Sequence, residues 1–76
     1  MKFTDVTEEV LANKEEYNYY NVIDLWVIYE QKNEEWATYT IAQNAREAKQ
    51  KVDWLKHISL NKWKIEHRYF KYMKEN

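Results

Sequence analysis

The stretch VIDLWVIYEQKNEEWATYTIAQ, from Val22 to Gln43, decides the fold because it has the pattern of two strands joined by a polar turn. Its two outer parts are rich in β-branched and aromatic residues, which favour a pleated, packed surface. The break between them is Lys32-Asn33-Glu34-Glu35. Asn33 tolerates a positive φ at a turn where the sequence offers no glycine. We therefore predict a β-hairpin over residues 22–43.

The number of residues in the connecting loop decides which side chains share a face of the hairpin, because a slip of one residue moves a whole strand across the sheet. An odd number gives the cleaner separation of apolar from polar side chains, and we expect it. One face then carries Ile23, Leu25, Val27, Tyr29, Ala37, Tyr39 and Ile41. The other carries Asp24, Glu30, Thr38 and Thr40, together with Trp26 and Ile28. These last two either lie under another element or form an exposed apolar patch.

The flanking sequence predicts two helices and one more strand. The stronger helix spans residues 44–58, with Asn44 and Glu47 spaced as a capping box. A narrower apolar stripe predicts a marginal helix from Asp5 or Thr7 to about Asn18, in which Asp5 and Glu8 form the capping pair. Residues 62–74 alternate between two faces, as a last strand would. The apolar stripe of the stronger helix consists of Ala45, Ala48, Val52 and Leu55, followed by Ile58 or Ser59.

These elements give one small α+β domain over residues 1–76, in the order α-β-β-α-β. Its three-stranded antiparallel sheet packs on the helix of residues 44–58, and the last strand runs antiparallel beside the first hairpin strand. If Lys2–Asp5 adds a strand, the order becomes the split ferredoxin-like β-α-β-β-α-β. We favour three strands because that N-terminal segment is short.

The composition excludes several classes of site. The chain of 76 residues has no Gly, Pro or Cys. A glycine-rich phosphate loop, a nucleophile elbow, a disulfide and a thiolate metal site are therefore ruled out. The N-terminal MKFTDVTEEV lacks the features of a signal peptide, and no apolar run approaches the roughly 20 residues of a membrane span. We therefore expect a cytoplasmic protein without a membrane partner.

Residue types that serve in catalytic and metal sites are present but poorly placed. The one serine, Ser59, has His57 two residues before it, yet neither a third orienting group nor a glycine-shaped oxyanion hole accompanies them. Glu66 and His67 are adjacent, so in a strand they point to opposite faces. We therefore predict no enzymatic activity, no metal and no cofactor.

Charge is unevenly distributed along the chain. Residues up to Ala45 contain three Lys and nine Asp or Glu, a net −6, whereas those from Arg46 onward contain nine Lys or Arg and four Asp or Glu, a net +5. Trp and Tyr, which dominate interface hot spots, are abundant. We therefore predict a protein-binding module. Its candidate contacts are Glu8, Glu9, Glu15, Glu16, Tyr17, Tyr19, Tyr20, Trp26 and Trp54.

The acidic first half indicates a class of partner. Such a surface complements a basic, nucleic-acid-binding protein and would occupy its site by imitating DNA phosphates. The small size, the lack of Gly, Pro and Cys, and the aromatic excess resemble small phage or mobile-element proteins that bind and inhibit a host protein. That resemblance implies an inhibitor in the host cytoplasm. Homodimerisation through a sheet face or an edge strand is a separate hypothesis.

The last strand supports an alternative function. One of its faces interleaves basic and aromatic groups, namely Lys64, Arg68, Phe70 and Tyr72. With Trp26 on the same sheet face, they would form a stacking platform for single-stranded nucleic acid. Acidic residues on that face and a net charge of −1 weaken this hypothesis, because the chain exerts no long-range attraction on phosphates. Nucleic acid is therefore the second choice of partner.

Overall fold

The computed structural model describes residues 2–73, which fold into two helices and one open antiparallel sheet of four strands. The strands are arranged β1-β4-β2-β3, so the last strand lies beside the first hairpin strand, as predicted. Lys74, which closes the predicted last strand, lies outside the described residues. The elements are β1 (Lys2–Asp5), α1 (Thr7–Ala12), β2 (Val22–Lys32), β3 (Glu35–Ala42), α2 (Ala45–Ile58) and β4 (Trp63–Met73).

The chain forms two compact units. Among the described residues, the first unit comprises 2–24 and 68–73, and the second comprises 25–67. Elements β1 and α1 belong to the first unit, and β3 and α2 belong to the second. Strands β2 and β4 contribute residues to both.

The prediction of three strands in the order α-β-β-α-β is wrong, because Lys2–Asp5 forms strand β1. It pairs antiparallel with the C-terminal part of β4, where Asp5 lies opposite Phe70. A strand of four residues forms here because its side chains contact those of β4. The rings of Phe3 and Tyr72, for example, meet edge to face with centroids 5.6 Å apart. The element order is therefore that of the ferredoxin-like alternative, with β2 and β4 as the central strands.

Helix α1 is shorter than predicted, since it ends at Ala12 rather than near Asn18. Glu15 and Glu16 follow it in a turn. In a longer helix they would stand at the negative end of the helix dipole, which disfavours acidic side chains. Val10, which is fully buried, anchors the short helix in the first unit.

The predicted capping pair of Asp5 and Glu8 is not formed. The Asp5 carboxylate instead accepts hydrogen bonds from the Thr7 backbone N–H (2.9 Å) and from its hydroxyl (2.6 Å). The Thr7 hydroxyl in turn accepts a hydrogen bond from the Tyr69 N–H at 2.9 Å. Thr7 therefore ties the start of α1 to β4, which a cap within the helix would not do.

Helix α2 and its N-cap at Asn44 are confirmed, and the side chain of Glu47 reaches back to the residue before the cap. The Asn44 side chain accepts a hydrogen bond from the Glu47 N–H (2.8 Å), and the Glu47 carboxylate accepts one from the Gln43 N–H (3.2 Å). The predicted stripe is buried only at its centre, because Ala45 and Ile58 are exposed. The core of the second unit consists of Ile28, Ala42, Ala48, Val52 and Leu55, with Trp26, Trp63 and Ile65 packed against it.

The predicted turn is present, but its loop is even rather than odd. Lys32 pairs with Glu35, so the loop consists of Asn33 and Glu34, both with a positive φ (51° and 69°). Two such residues are typical of the type I′ turn, whose twist matches that of the flanking strands. The prediction of an odd loop is therefore wrong. Near the tip, the favourable geometry of the two-residue turn outweighs the sorting of apolar and polar side chains onto separate faces.

A β-bulge changes the register of the hairpin between Ile28 and Tyr29 of β2. Ile28 pairs with Thr40, but Tyr29 pairs with Thr38, which leaves Tyr39 as the extra residue of β3. An extra residue reverses the facing of every side chain beyond it. The bulge therefore restores the odd pairing for the inner half of the hairpin.

Helix α2 covers the face of the second unit that carries Trp26 and Ile28. Of the two outcomes open for these residues, cover by another element is the one observed. On the opposite face Val27 pairs with Ile41, as the odd loop predicted. Val27 is buried, but Ile41 stays 47% exposed because α2 lies on the other side.

Replacing Glu34 by glycine should stabilise the hairpin. A non-glycine residue in the left-handed region is destabilised by roughly 1–2 kcal/mol, and glycine removes this strain. Part of the gain is lost because glycine has greater conformational freedom in the unfolded state. We expect Glu34→Gly to raise the free energy of unfolding by about 0.5–1 kcal/mol in urea denaturation. Glu35→Gly, one residue on in β3, should lower it. A Glu34→Gly protein no more stable than wild type would contradict the turn geometry.

Candidate protein-binding groove

An open groove of about 450 Å³ lies between β3 and α2 in the second unit. On the helix side its residues lie at positions 47, 50, 51, 54 and 55, a spacing that places them along one side of α2. Leu55 is buried, whereas Tyr39 is 52% and Trp54 60% exposed. The groove therefore has an apolar base and an aromatic rim. The lining residues are Tyr39, Thr40, Glu47, Gln50, Lys51, Trp54 and Leu55.

The bulge explains why two consecutive residues of β3 line the groove. In a regular strand, successive side chains point to opposite faces. Because Tyr39 is the extra residue, both it and Thr40 border the groove. The Tyr39 ring also meets the Trp63 ring edge to face, with centroids 5.1 Å apart. Since Trp63 Nε1 is buried and has no hydrogen-bond partner within residues 2–73, ring contacts of this kind hold the indole in place.

A charged pair forms the polar part of the groove wall. Lys51 Nζ lies 3.3 Å from the Glu47 carboxylate and donates a hydrogen bond to the main-chain carbonyl of Ile41 at 2.9 Å. The hydrogen bond from the Gln43 N–H, followed by the one from Lys51, lowers the pKa of Glu47 below its usual value. The Glu47 carboxylate is therefore ionised near neutral pH, and its negative charge offsets the formal positive charge of Lys51.

Strand β3 forms one edge of the described sheet, with β2 as its neighbour. It spans eight residues, of which Glu35 alone is charged. An edge strand presents main-chain N–H and C=O groups to which another chain can pair. Two features interrupt this edge: the hydrogen bond from Lys51 to the Ile41 carbonyl and the bulge at Tyr39. Such interruptions are common in proteins that avoid edge-to-edge aggregation. The edge is thus available for pairing over a limited length beside the groove.

The opposite face of the second unit carries a lysine between two aromatic rings. Lys64 Nζ lies 4.8 Å from the centroid of the Trp36 ring and 5.1 Å from that of the Tyr29 ring. It also lies 3.3 Å from the Glu66 carboxylate. Trp36 pairs with Gln31 and therefore shares a face with Tyr29, two residues earlier. Lys64, the first cation of the nucleic-acid alternative, is thus engaged within its own unit.

Trp26 does not lie on that face, so the predicted stacking platform lacks it. Its ring stacks on His67 with centroids 4.4 Å apart and planes within 5°. It packs against the core that α2 covers. Of the two tryptophans predicted as protein contacts, Trp26 is half-buried in this packing and Trp54 is exposed on the groove rim.

The other predicted protein contacts lie in the first unit. The rings of Tyr17 and Tyr19 meet edge to face at 5.4 Å, and the Tyr19 hydroxyl donates a hydrogen bond to the Lys14 carbonyl at 2.6 Å. Tyr20 is 74% exposed. The predicted contacts are therefore divided between the units, because Trp26 and Trp54 belong to the second. The acidic candidates, all exposed, are Glu8, Glu9, Glu15 and Glu16.

The second cation of the nucleic-acid alternative is paired as well. Arg68 donates from Nε (3.0 Å) and Nη2 (2.8 Å) to one carboxylate oxygen of Asp5. Partial burial raises the pKa of Asp5, but hydrogen bonds from Thr7 and Arg68 outweigh this effect and hold the pKa below its usual value. Phe70 and Tyr72 are half-buried. The basic-aromatic strand is therefore largely committed to contacts within the fold.

Residues considered for chemistry take structural positions. The Ser59 hydroxyl accepts a hydrogen bond from the Asn61 N–H at 3.2 Å, which shapes the turn after α2. Within residues 2–73, no three His, Cys, Asp or Glu side chains are grouped so that they could hold a metal ion. Neither described helix has the length and apolar character to cross a membrane.

Of the residues that line the groove, the sequence analysis named Trp54 alone as a candidate contact. The signal for Gln50 and Lys51 was present, because their spacing with Trp54 places them beside the buried stripe of α2. Tyr39 carried no such signal. Its position depends on the bulge, and nothing in the strand pattern indicated an extra residue.

Acidification should weaken the first unit through Asp5. Because its folded-state pKa lies below the ordinary value of 3.8, the ionised carboxylate stabilises the fold above that pH. This contribution is lost as the pH falls through the folded-state pKa. We expect Asp5→Asn to lose less unfolding free energy than wild type between about pH 5 and about pH 2.5 in urea denaturation. Glu16→Gln, in an exposed turn, is the control, and parallel curves for wild type and Asp5→Asn would refute the effect.

Within residues 2–73, the candidate surfaces are the groove between β3 and α2, the face on which Lys64 lies between Tyr29 and Trp36, and the exposed acidic side chains of the first unit. None of them is explained by a known relative. No protein-family model matches the chain, and searches of curated proteins and of solved structures found no match.

Proposed function

We propose that this chain is a non-enzymatic protein-binding module that holds an extended segment of another protein in the groove between β3 and α2. The observation that carries the proposal is the exposed pair Tyr39 and Trp54 on the rim of a groove that borders an edge strand. The segment adds to β3 through main-chain hydrogen bonds and places alternate side chains in the groove. The proposed setting is the cytoplasm, and the proposed effect is inhibition of the bound protein.

The aromatic rim supplies binding free energy. Large aromatic side chains bury about 150–250 Å² each, so the exposed fractions of 52% and 60% leave roughly 200 Å² for a partner to cover. At about 25 cal/mol per Å², this area gives on the order of 5 kcal/mol before the entropic cost of association. The buried base at Leu55 limits how far a side chain enters. Main-chain hydrogen bonds along β3 must therefore provide the rest of the binding free energy.

The electrostatics of the groove favour an apolar segment. Glu47 and Lys51 neutralise each other in its wall. A phosphate would find no uncommitted cation there. On β4 the ammonium of Lys64 and the guanidinium of Arg68 are both paired with carboxylates. These pairings favour a protein partner over single-stranded nucleic acid.

The exposed acidic side chains of the first unit support a narrower version of the proposal. Glu8, Glu9, Glu15 and Glu16 are available to a basic protein, as the imitation of DNA phosphates would require. The groove and these side chains belong to different units, so each version has its own test.

Trp54→Ala should weaken peptide binding to the groove. Peptides selected from a random library against the immobilised protein provide ligands, and their affinity is measured by calorimetry. We expect Trp54→Ala to weaken binding at least about tenfold, because exposed aromatic residues at such rims act as hot spots. Slowed hydrogen exchange of the β3 amides should accompany binding.

The matched control is Leu60→Ala, which removes a fully exposed apolar side chain outside the groove. It should leave affinity unchanged. Thermal unfolding of both variants checks that the fold is intact. Equal affinities of wild type and Trp54→Ala for every selected peptide would overturn the groove as the binding site.

Charge reversal distinguishes binding of a basic protein by the acidic side chains of the first unit from binding of nucleic acid by β4. We expect Glu15→Lys/Glu16→Lys to weaken binding to a basic partner captured from host lysate, whereas Lys64→Glu/Arg68→Glu should not weaken it. The capture is repeated with nuclease and across a salt series. Loss of binding only in the second variant, with nucleic acid recovered and released steeply by salt, would instead support the alternative.

A further inference from the structure

The face of the second unit opposite α2 holds a second feature with the chemistry of a binding site. Lys64 Nζ stands 4.8 Å from one aromatic centroid and 5.1 Å from another, and 3.3 Å from a carboxylate oxygen. Two ring faces and an acid around one ammonium are the elements of an aromatic cage for alkylammonium ligands. The resident lysine shows that the three groups converge on one cation.

The walls of this cage are held by the sheet. Tyr29, Trp36 and Glu66 come from β2, β3 and β4, three neighbouring strands. The type I′ turn fixes Trp36 opposite Gln31 and thereby on the same face of the sheet as Tyr29. Sites built on strands keep their geometry better than sites on loops. The cage should therefore persist when its occupant is removed.

The occupant differs from the walls in mobility. Lys64 reaches the cage by an unbranched four-carbon stem, and its side chain is 37% exposed. Such a stem can turn into solvent without a change of the backbone. The rings, in contrast, gain as much from a partner's ammonium as from that of Lys64, and more from a methylated one because it is less strongly hydrated.

We propose that Tyr29, Trp36 and Glu66 form a recognition site for an alkylammonium group, the side chain of a lysine or methylated lysine on a partner, and that Lys64 is its internal occupant, which the partner's cation displaces. The site is independent of the groove, because none of these residues lines it. Loss of one activity therefore leaves the other measurable.

The test uses Lys64→Gln, which removes the competing ammonium and keeps a polar stem. Nα-acetyl-trimethyllysine amide is titrated into the full chain, and the Trp36 indole N–H resonance is followed by NMR. We expect Lys64→Gln to bind the probe roughly fivefold to tenfold more tightly than wild type, the scale of one partly exposed cation–π contact. If circular dichroism shows that the Lys64→Gln protein is not folded, Lys64→Met is used in its place.

Two controls isolate the cation. In the probe's neutral isostere, a neohexyl group replaces trimethylammonium, and it should not shift the resonance. Lys64→Gln combined with Trp36→Leu should bind the trimethyllysine probe no better than wild type, as judged by calorimetry. The proposal is overturned if Lys64→Gln binds no more tightly than wild type, or if the neutral isostere binds as well as the cation.

Discussion

The register of the β2–β3 hairpin, set by its two-residue turn and by the extra residue at Tyr39, is the constraint on which both candidate surfaces depend. The two-residue turn fixes the register of β2 and β3 at the tip of the hairpin. Without a bulge, that register would continue and place Ile41 on the face beneath α2 and Ala42 on the other. With the bulge, the small Ala42 lies beneath the helix and is buried, which permits close packing. Tyr39 turns toward the groove, while Trp36 keeps the register of the turn and forms the opposite face.

Aromatic residues surround a small aliphatic core instead of filling it. The largest fully buried side chains are Ile28 and Val10, whereas the rings of Trp26 and Trp63 pack against the core from its margin. A chain this short buries only roughly 60% of the surface of its unfolded state, so partly buried rings supply much of the contact area. The aromatic excess therefore serves stability first. Only the rings that the sheet leaves exposed, such as that of Trp54, are available to a partner.

The features that could be predicted from the sequence are those with a local cause. Three such features are confirmed by the structure: the N-cap at Asn44, the buried centre of the α2 stripe and the turn at Asn33. Each follows from spacing within a few residues. Strand β1, the early end of α1 and the bulge depend on contacts distant in sequence. Asp5, for example, is held by Arg68 from the far end of the chain. Of the groove, Trp54 was accessible to helix periodicity, but Tyr39 required knowledge of the register.

The same long-range pairing changes the meaning of the charge asymmetry. The two halves of the sequence carry net charges of −6 and +5. Among the described residues, however, the first unit has four Lys or Arg and six Asp or Glu, and the second unit has seven Lys or Arg and six Asp or Glu. Folding thus brings β4, from the basic half, beside acidic residues of the other half, as the pair of Arg68 with Asp5 shows. Neither unit carries the strong field that steers charged ligands over long distances. Association with the proposed partner should therefore proceed at the rate of a weakly charged protein, on the order of 10⁵–10⁶ M⁻¹s⁻¹, with selectivity set by short-range contacts.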